Sequence, residues 1–365
     1  MTKVVQLKDI ATIMTGNTPK TSDVENYNSN DICFIKPSDI SESEIVELSE
    51  SEFYISESAR NNARLAPQGS ILVTCIGIIG KTAILKSECA FNQQINAVIP
   101  DTNLVDTHYL AYAIANKKDH MQETANAAVV PIINKSEFSK MSIILPSLKE
   151  QQRIANILEK IRAVISLRKQ QFVKLDELVK ARFVEMFGDP ITNCRCLPTK
   201  QLGKICNLKA GTTTSADEIH EFSKEYPIPC YGGNGIRGYV KESTQHGLYP
   251  IIGRQGALCG NLQLANGNFH ATEHAVLVTP IIEMDTMWLF YLLKYMDLYR
   301  FHTGAAQPGL AVKTLNEVPI PIATITLQRD FSVFSKQIDR QKLTIQQSLA
   351  KLEVLKKALM QEYFG

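Results

Sequence analysis

The chain has 365 residues, of which 44% are hydrophobic and 21% are charged, and its formal net charge is +2. These values exclude a disordered or fibrous protein and allow two domains of ordinary size. The first residues lack the apolar core of a secretory signal, and no apolar run approaches the roughly eighteen residues that a membrane span needs. We therefore expect a cytoplasmic protein that does not associate with membranes and whose eight cysteines are reduced.

The charges are distributed unevenly along the chain. Residues 1–147 carry 12 basic and 17 acidic groups, whereas residues 148–190, 191–325 and 326–365 each carry a small basic excess. Bulk charge therefore does not by itself indicate a nucleic-acid-binding protein.

Residues 1–147 have the pattern of a mixed, β-rich domain. Short apolar runs, among them residues 32–35, 70–79 and 97–99, are separated by Gly, Pro, Asn and Ser, which favours strands and turns. One amphipathic helix is predicted from residue 106 to about residue 121. A last strand ends at Pro146.

A long helix is predicted to follow. The sequence from Ser147 to Glu150 has the form of a capping box, in which the Ser hydroxyl accepts an amide and the Glu side chain reaches back. The helix continues to Phe187 without Gly or Pro, and Gly188 followed by Pro190 ends it. Its apolar seam has a spacing of three and four residues: Ile154, Leu158, Ile161, Ile165, Phe172, Leu175, Leu178 or Val179, and Met186.

Residues 191–325 repeat the plan of the first domain. An amphipathic helix is predicted from Asp285, and a second long helix from about Leu327 to Phe364. The seam of this helix is formed by Phe331, Ile338, Ile345, Leu349, Leu352, Leu355, Leu359 and Tyr363.

The ends of the two long helices are copies of one another. Residues 170–188 and 347–365 are identical at nine of nineteen positions, where chance would give roughly one. We therefore divide the chain into residues 1–147, the first domain; 148–190, a central helical spacer; 191–325, the second domain; and 326–365, a C-terminal helical spacer.

The length of the two helices predicts that they pair. A helix of about 38 residues is roughly 57 Å long and requires a partner for its seam. We expect an α+β protein with two β-rich mixed domains in tandem, each followed by a long helix, and the two helices packed as an antiparallel coiled coil with pseudo-two-fold symmetry. The alternative is that each helix folds back on its own domain.

Two motifs resemble catalytic or metal sites without meeting their requirements. The loop TCIGIIGKT has Cys75 where a phosphate loop needs Gly, and strand-like residues follow it. The sequence HATEH at 270–274 resembles a zinc-protease motif, but it precedes a strand and lies outside any predicted helix. Cys194 and Cys196 lack a second cysteine pair at zinc-finger spacing. We predict no metal site and no catalytic residue.

Several segments together resemble the specificity (S) subunit of type I restriction–modification enzymes. They are LPSLKEQQRIANIL, ARFVEMFGDP, IGRQGALCGN, YGGNGIRGYV and NQQINAVIP. The resemblance covers nearly the whole chain and implies two target-recognition domains, each reading one half of a split, asymmetric double-stranded DNA site. It also implies that the helices act as spacer and as docking surface for two methyltransferase subunits, to which restriction subunits can be added. The cofactor S-adenosylmethionine then belongs to those partners, and this chain needs none. The second helix lacks the capping box, with Thr324 and Leu327 at the matching places.

Base-reading side chains are expected on glycine-rich loops, because Arg, Lys, Asn and Gln pair with base edges and glycine allows close approach. In the second domain the candidates are Asn234, Arg237, Arg254, Gln255 and Gln307. In the first domain they are Lys36, Arg60, Asn61, Asn62, Lys81 and Gln93. Phosphate contacts are expected from Thr18, Lys20, Thr212, Thr213 and Lys313.

Two other functions remain compatible with the sequence. The acidic first domain and the long seam also suit a two-headed protein–protein adaptor that does not bind DNA. A stand-alone enzyme is disfavoured by the missing motifs.

Overall fold

The computed structural model describes residues 3–125, 130–304 and 308–365. The chain divides into two compact units: unit 1 contains residues 1–167 and 348–365, and unit 2 contains residues 168–347. Each unit therefore combines one β-rich body with a segment from each of two long helices. No described helix is long and apolar enough to cross a membrane.

The body of unit 1 is built mainly from short strands, as its turn-rich sequence predicts. The strands are β1 (Lys3–Gln6), β2 (Ala11–Thr15), β3 (Ile32–Ile35), β4 (Val46–Leu48), β5 (Tyr54–Ile55), β6 (Leu65–Ala66), β7 (Ile71–Thr74), β8 (Thr82–Leu85), β9 (Cys89–Phe91), β10 (Ile95–Pro100) and β11 (Ser142–Leu145). The predicted strand at residues 32–35 coincides with β3.

These strands form one five-stranded sheet, in the order β2-β10-β7-β8-β4, and one four-stranded sheet, in the order β5-β3-β9-β6. Successive side chains of a strand point to opposite faces. Along β3, Ile32 and Phe34 accordingly pack in one core cluster and Ile35 in another. Strand β1 pairs with β11 in a separate antiparallel ribbon.

The helices of the unit 1 body are α1 (Thr107–Ala115), α2 (Lys118–Thr124) and α3 (Lys135–Ser139). The Asp106 side chain caps α1 by accepting a hydrogen bond from the Tyr109 amide at 2.9 Å. The prediction of one continuous helix to about residue 121 is wrong. The helix ends at Asn116, a weak helix former, and the Lys117 amide closes a tighter turn on the Ile114 carbonyl.

The long helix α4 (Leu148–Phe187) follows β11. Its bounds match the prediction, and Gly188 ends it with a φ of 76°. The Glu150 amide donates to the Ser147 hydroxyl at 3.4 Å, as in a capping box. The Glu150 carboxylate, however, pairs with Arg153 at 2.6 Å.

Unit 2 repeats this organisation with fewer and longer strands. They are β12 (Thr199–Gln201), β13 (Cys206–Ala210), β14 (Ile228–Gly232), β15 (Gly235–Val240), β16 (Gln245–Gly253), β17 (Leu262–Ala271), β18 (Ala275–Pro280) and β19 (Pro319–Pro321). Six of them form a sheet in the order β13-β18-β16-β17-β14-β15, and β12 pairs with β19. The helices are α5 (Leu202–Ile205), α6 (Thr286–Tyr295), α7 (Val312–Glu317) and the second long helix α8 (Ile325–Phe364).

The two long helices pack antiparallel within unit 2. The ring of Phe187, the last residue of α4, lies 5.7 Å from that of Phe331, near the start of α8. Further along, Lys342 Nζ donates to the Asp176 carboxylate at 2.7 Å. Higher residue numbers on one helix therefore face lower numbers on the other.

The same arrangement occurs in unit 1 with the opposite ends of the helices. Arg153, near the start of α4, lies 5.9 Å from the ring of Tyr363, near the end of α8. Ile154, Leu158 and Phe364 belong to one core cluster. The predicted antiparallel pairing is confirmed, and the alternative, in which each helix folds back on its own domain, is wrong.

Part of the predicted apolar seam of the long helices is exposed, and other apolar residues are buried in its place. Leu178 and Leu355 are 47% and 46% exposed, whereas Phe183, Phe187 and Phe364 are buried. Each helix packs against a body as well as against its partner, so its buried stripe differs from that of an isolated coiled coil.

One buried glutamine joins each long helix to the body of its unit. Gln151 in α4 is 0% exposed, and its Oε1 accepts the Asp106 amide at 2.8 Å while its Nε2 donates to the Pro146 carbonyl at 2.9 Å. Gln328 in α8 is 1% exposed and makes the matching bonds to the Asp285 amide and the Ala323 carbonyl. The start of α8 is thus anchored like that of α4, although it lacks the capping box.

Candidate nucleic-acid interface

In unit 1, four loops converge at one edge of the body. We call residues 16–18, 74–80, 92–95 and 131–133 the edge loops of unit 1. Backbone bonds hold them together: the Gly16 amide donates to Ile95 at 3.0 Å, the Cys75 amide to Gln94 at 2.8 Å, and the Ile133 amide to Cys75 at 2.9 Å.

Unit 2 contains the same framework. Its edge loops are residues 211–214, 253–256, 272–275 and 308–310. The Gly211 amide donates to Ala275 at 2.9 Å, the Arg254 amide to His274 at 3.1 Å, and the Leu310 amide to Arg254 at 2.8 Å. These bonds make Arg254 the equivalent of Cys75, and His274 the equivalent of Gln94.

Close packing of this framework requires glycine at one position in each unit. A Cβ atom at Gly16 would overlap the Asn92 carbonyl, and one at Gly211 would overlap the Ala271 carbonyl. Because these obstacles are backbone atoms, neighbouring side chains cannot relieve the overlap. The glycine that ends each of the similar segments VQLKDIATIMTG and KQLGKICNLKAG is therefore needed for the loops to meet.

Some of the candidate DNA-contacting residues of unit 1 lie at its edge loops or beside them. The Thr18 hydroxyl donates to Gln93 Oε1 at 2.7 Å, and both residues are exposed. The Asn62 carbonyl accepts a bond from the Asn17 side chain at 2.7 Å, which attaches the segment of Asn61 and Asn62 to these loops. Lys20 is exposed two residues beyond Thr18.

Three candidate cations of unit 1 are engaged by groups of the protein. Lys36 Nζ lies 3.1 Å from the centre of the Phe53 ring. Lys81 is 8% exposed, and its Nζ donates to the Pro37 carbonyl at 3.0 Å. Arg60 pairs with two carboxylates, Glu57 at 2.5 Å and Glu88 at 2.6 Å, which raise its pKa. In this arrangement, each would have to leave its partner to contact a base.

The candidates of unit 2 are more closely grouped. Thr212 and Thr213 are exposed in one edge loop, and Arg254 and Gln255 occupy another. Gln255 forms a bridge with Gly309 of the last loop. Lys313 is exposed in the first turn of α7. Gln307 lies outside the described residues.

The hairpin between β14 and β15 carries the remaining candidates of unit 2. It packs directly on the edge loops, because a Cβ atom at Gly253 would overlap the Gly233 carbonyl. At the hairpin tip, Asn234 Oδ1 accepts a bond from Asn261 at 2.6 Å. Arg237 is exposed on β15, with its side chain beside Gly232.

Both rejected motifs lie outside the helices, between strands or at their ends. The loop TCIGIIGKT is the turn between β7 and β8, and the strand predicted after it is present. In HATEH, the His270 ring is 2.8 Å from the Thr214 hydroxyl, and burial lowers its pKa. His274 Nε2 instead lies 3.1 Å from Glu273, so the two histidines have separate partners.

One group of titratable residues was not predicted from the sequence. Glu47, His108 and Glu159 bring their side-chain ligand atoms within 4.8 Å of one another in unit 1. Lys86 pairs with Glu47 at 2.6 Å, and Arg162 pairs with Glu159 at 2.5 Å. Each carboxylate is thus matched by a cation, which is typical of an ion-pair network. Its members are far apart in sequence, and no local motif identifies them.

Sequence comparison shows that the chain is similar to type I restriction specificity proteins. The family model described as "Type I restriction modification DNA specificity domain" matches residues 2–177 and 198–354. The chain is 32% identical to the type I restriction enzyme EcoprrI specificity subunit of Escherichia coli over 345 residues, 88% of this chain and 84% of that protein. It is 28% identical to the type I restriction enzyme MjaIX specificity subunit of Methanocaldococcus jannaschii over 244 residues, 62% of this chain and 56% of that protein.

Solved structures share the fold. The S subunit of the type I restriction–modification system from M. genitalium matches with a TM-score of 0.68 at 15% identity, covering 100% of this chain and 96% of that one. A chain from a study of complex assembly and conformational transition of the type I R-M system matches with a TM-score of 0.60 at 16% identity, covering 100% and 97%.

Proposed function

The chain belongs to the family of type I restriction–modification DNA specificity proteins, and from that premise we propose that it reads a bipartite, asymmetric DNA sequence with its two bodies. The protein acts as the non-catalytic recognition subunit of a larger enzyme. The protein is located in the cytoplasm, where its DNA also lies.

The observation that supports this proposal most is the duplicated edge-loop framework. Equivalent backbone bonds hold the loops in both units, so both present a similar surface to DNA. The side chains on this framework differ, as at Cys75 and Arg254. Because base identity is read by side-chain donors and acceptors at base edges, a shared framework with different side chains favours two half-sites of different sequence.

The paired helices set the distance between the half-sites. Each unit contains a segment of both helices, so each body is anchored to the same antiparallel pair. In this proposal the two bodies contact one face of the duplex. A separation of about one DNA turn, roughly 34–36 Å, suits this arrangement.

The helices also dock two methyltransferase subunits. Large apolar side chains on them remain exposed, including Leu167 at 63%, Val173 at 56%, Val333 at 59%, Leu343 at 55% and Val354 at 70%. Exposed apolar groups on paired helices are typical of surfaces that receive further helices. The partners carry S-adenosylmethionine, and restriction subunits join through them.

The test is to co-express the chain with its methyltransferase subunits and to map methylated adenines in a host that lacks other modification. We expect one split motif with two different halves and a fixed gap. Footprinting of the assembled complex should show two protected segments on one face of the duplex. A protein–protein adaptor, which the acidic excess of residues 1–147 would also suit, leaves no split footprint. Methylation at unrelated sequences would contradict the proposal.

A further inference from the structure

Three polar atoms in the edge loops of unit 2 lack hydrogen-bond partners. Arg254 Nε, Thr272 Oγ1 and His274 Nδ1 are shielded from solvent and unpaired, and they account for half of the six such atoms in the part of the chain that the structure describes. Thr272 is 0% exposed. A buried donor or acceptor without a partner has lost its hydrogen bonds to water and gained none in return, so this arrangement is unfavourable as it stands.

The backbone framework does not by itself leave polar atoms unpaired, because the equivalent side chains of unit 1 have partners. Asn92 is the equivalent of Thr272: its amide donates to Ile35 as that of Thr272 donates to Tyr231. In unit 1, Asn92 Nδ2 donates to Gln94 Oε1 at 2.9 Å. Cys75 Sγ, at the position of Arg254, accepts a bond from Asn96 at 3.2 Å. The unsatisfied atoms therefore arise from the particular side chains of unit 2.

Thr272 and His274 lie beside the glycines of the hairpin between β14 and β15. The Arg254 amide donates to the His274 carbonyl, which joins their loops. A Cβ atom built on Gly232 would lie 3.9 Å from Thr272 Oγ1, and one built on Gly233 would lie 3.8 Å from the His274 Cβ. Gly232 and Gly233 place no side chain between the hairpin and these two residues, and the Arg237 side chain lies beside Gly232.

The unsatisfied groups are chemically complementary. His274 Nε2 lies 3.1 Å from the Glu273 carboxylate, and in the neutral ring whose Nε2–H donates to that carboxylate, Nδ1 is an acceptor. Arg254 Nε–H is a donor, and the Thr272 hydroxyl can donate or accept. A hydrogen bond from Arg254 Nε–H to His274 Nδ1 or to the Thr272 hydroxyl leaves the two outer guanidinium nitrogens free for another pair of acceptors.

We propose that Arg254 reads a guanine in the half-site of unit 2, and that Thr272 and His274 position its guanidinium. This inference rests on the proposed function. The fork of an arginine matches guanine O6 and N7 in the major groove. In the bound state Arg254 Nε pairs with His274 or Thr272, and its two outer nitrogens contact the base. Cys75 cannot form such a fork, so unit 1 makes no equivalent contact at that position.

The experiment uses the assembled complex with its methyltransferase subunits and unmethylated genomic DNA as the probe. Arg254→Ala and Arg254→Lys are both expected to make one guanine of the motif degenerate in one half only. Preference for that guanine should fall by about 5- to 150-fold, the range of a good bidentate contact. Lysine keeps the charge but cannot present the fork. Lys200→Ala, which removes an exposed charge from β12, is the matched control and should leave the motif unchanged.

A second variant separates binding from folding. Thr272→Val removes the unsatisfied hydroxyl while keeping the shape, so we expect the melting temperature of the free protein to hold or rise. Preference for guanine over adenine in paired duplexes should nevertheless fall, as it should for His274→Ala. Assembly with the methyltransferase subunits, followed by size-exclusion chromatography, checks the fold of each variant.

The outcomes are distinguishable. A wild-type complex without a split motif contradicts the proposed function itself. A split motif that Arg254→Ala leaves intact, changes in both halves, or changes at a base other than guanine overturns only the guanine reading. An unchanged guanine preference in Thr272→Val and His274→Ala overturns their positioning role.

Discussion

Unit 1 and unit 2 surround one backbone framework with different side chains. Where a backbone group leaves no room, the residue is the same in both, as at Gly16 and Gly211. Where a side chain faces the edge loops, the residue differs, as Cys75 differs from Arg254. Packing therefore restricts the backbone framework, whereas the side chains of the edge loops are free to differ between the two units.

A second comparison concerns the attachment of each body to the helices. In unit 2, the Phe187 ring lies 5.9 Å from Trp288 of α6, and in unit 1 the Phe364 ring lies 5.1 Å from Tyr109 of α1. The last aromatic residue of each long helix thus docks on the body helix of a unit. The repeated Phe-Gly ending has this structural role.

The largest expected effect comes from truncating these two aromatic residues. Phe187→Ala should cost unit 2 about 4 kcal/mol, as is usual for a buried Phe. The cost of Phe364→Ala to unit 1 should be smaller by about 1 kcal/mol. Phe187 also contacts the rings of Phe183 and Phe331, whereas Phe364 packs against the ring of Tyr109. Denaturant unfolding followed by Trp288 fluorescence reports on unit 2, and amide hydrogen exchange reports on each unit.

A control for this comparison is Val354→Ala, which changes a side chain that is 70% exposed on α8. It should leave stability within about 0.5 kcal/mol of the wild type. If Phe364→Ala lowered the protection of unit 2 instead of unit 1, the assignment of the last turn of α8 to unit 1 would be wrong.

The next largest effect is expected at the glutamine anchors. Gln151→Leu and Gln328→Leu each leave buried backbone groups without partners, which should cost about 3 kcal/mol. Because the two glutamines make matching bonds, the losses should be similar. Thermal unfolding of both variants measures them. A loss at only one site would show that the two anchors are not equivalent.

The smallest effect, and one of opposite sign in the two units, is expected at two carboxylates that face the equivalent tyrosines Tyr112 and Tyr291. Glu159 accepts the Tyr112 hydroxyl at 2.6 Å and pairs with Arg162. In unit 2, Asp339 lies 3.4 Å from the Tyr291 hydroxyl, and burial raises its pKa. At pH 7, Glu159→Gln should therefore destabilise unit 1, and Asp339→Asn should stabilise unit 2, each by less than about 1 kcal/mol.

Because the pKa of Asp339 is raised, the stabilising effect of Asp339→Asn should depend on pH. A carboxyl whose folded-state pKa is raised favours folding below its unfolded-state pKa, and this contribution is lost as the pH rises through the folded-state pKa. The advantage of Asp339→Asn over the wild type should thus be present at pH 7 and disappear as acid protonates Asp339. Melting curves between pH 4 and pH 8 test this, and an advantage that grew on acidification would contradict it.

Local patterns predicted the elements whose determinants are local. Capping and stop residues predicted the start of α4 at Leu148 and its end at Phe187, and turn residues predicted β3. The burial of Phe183 and Phe364 was missed, because it depends on the bodies against which the helices pack. Periodicity along a helix does not report that surface.

The candidate site was predictable only as a set of loops. Glycine-rich loops predicted the region of Arg254 and Gln255. The engagement of Lys81 by the Pro37 carbonyl, 44 residues away in the chain, depends on the tertiary structure. In the sequence, Thr272 and His274 belong to a recognisable pattern only as part of HATEH. As a linear motif, HATEH suggests a metal site.

The division of the chain has a consequence for protein synthesis. Unit 2 is continuous, whereas unit 1 needs residues 348–365, which leave the ribosome about 180 residues after Leu167. At roughly 5–20 residues per second, the nascent first body waits about 10 to 40 seconds for the segment that covers Tyr109. The core of unit 1 is therefore completed last, although most of its residues are translated before those of unit 2.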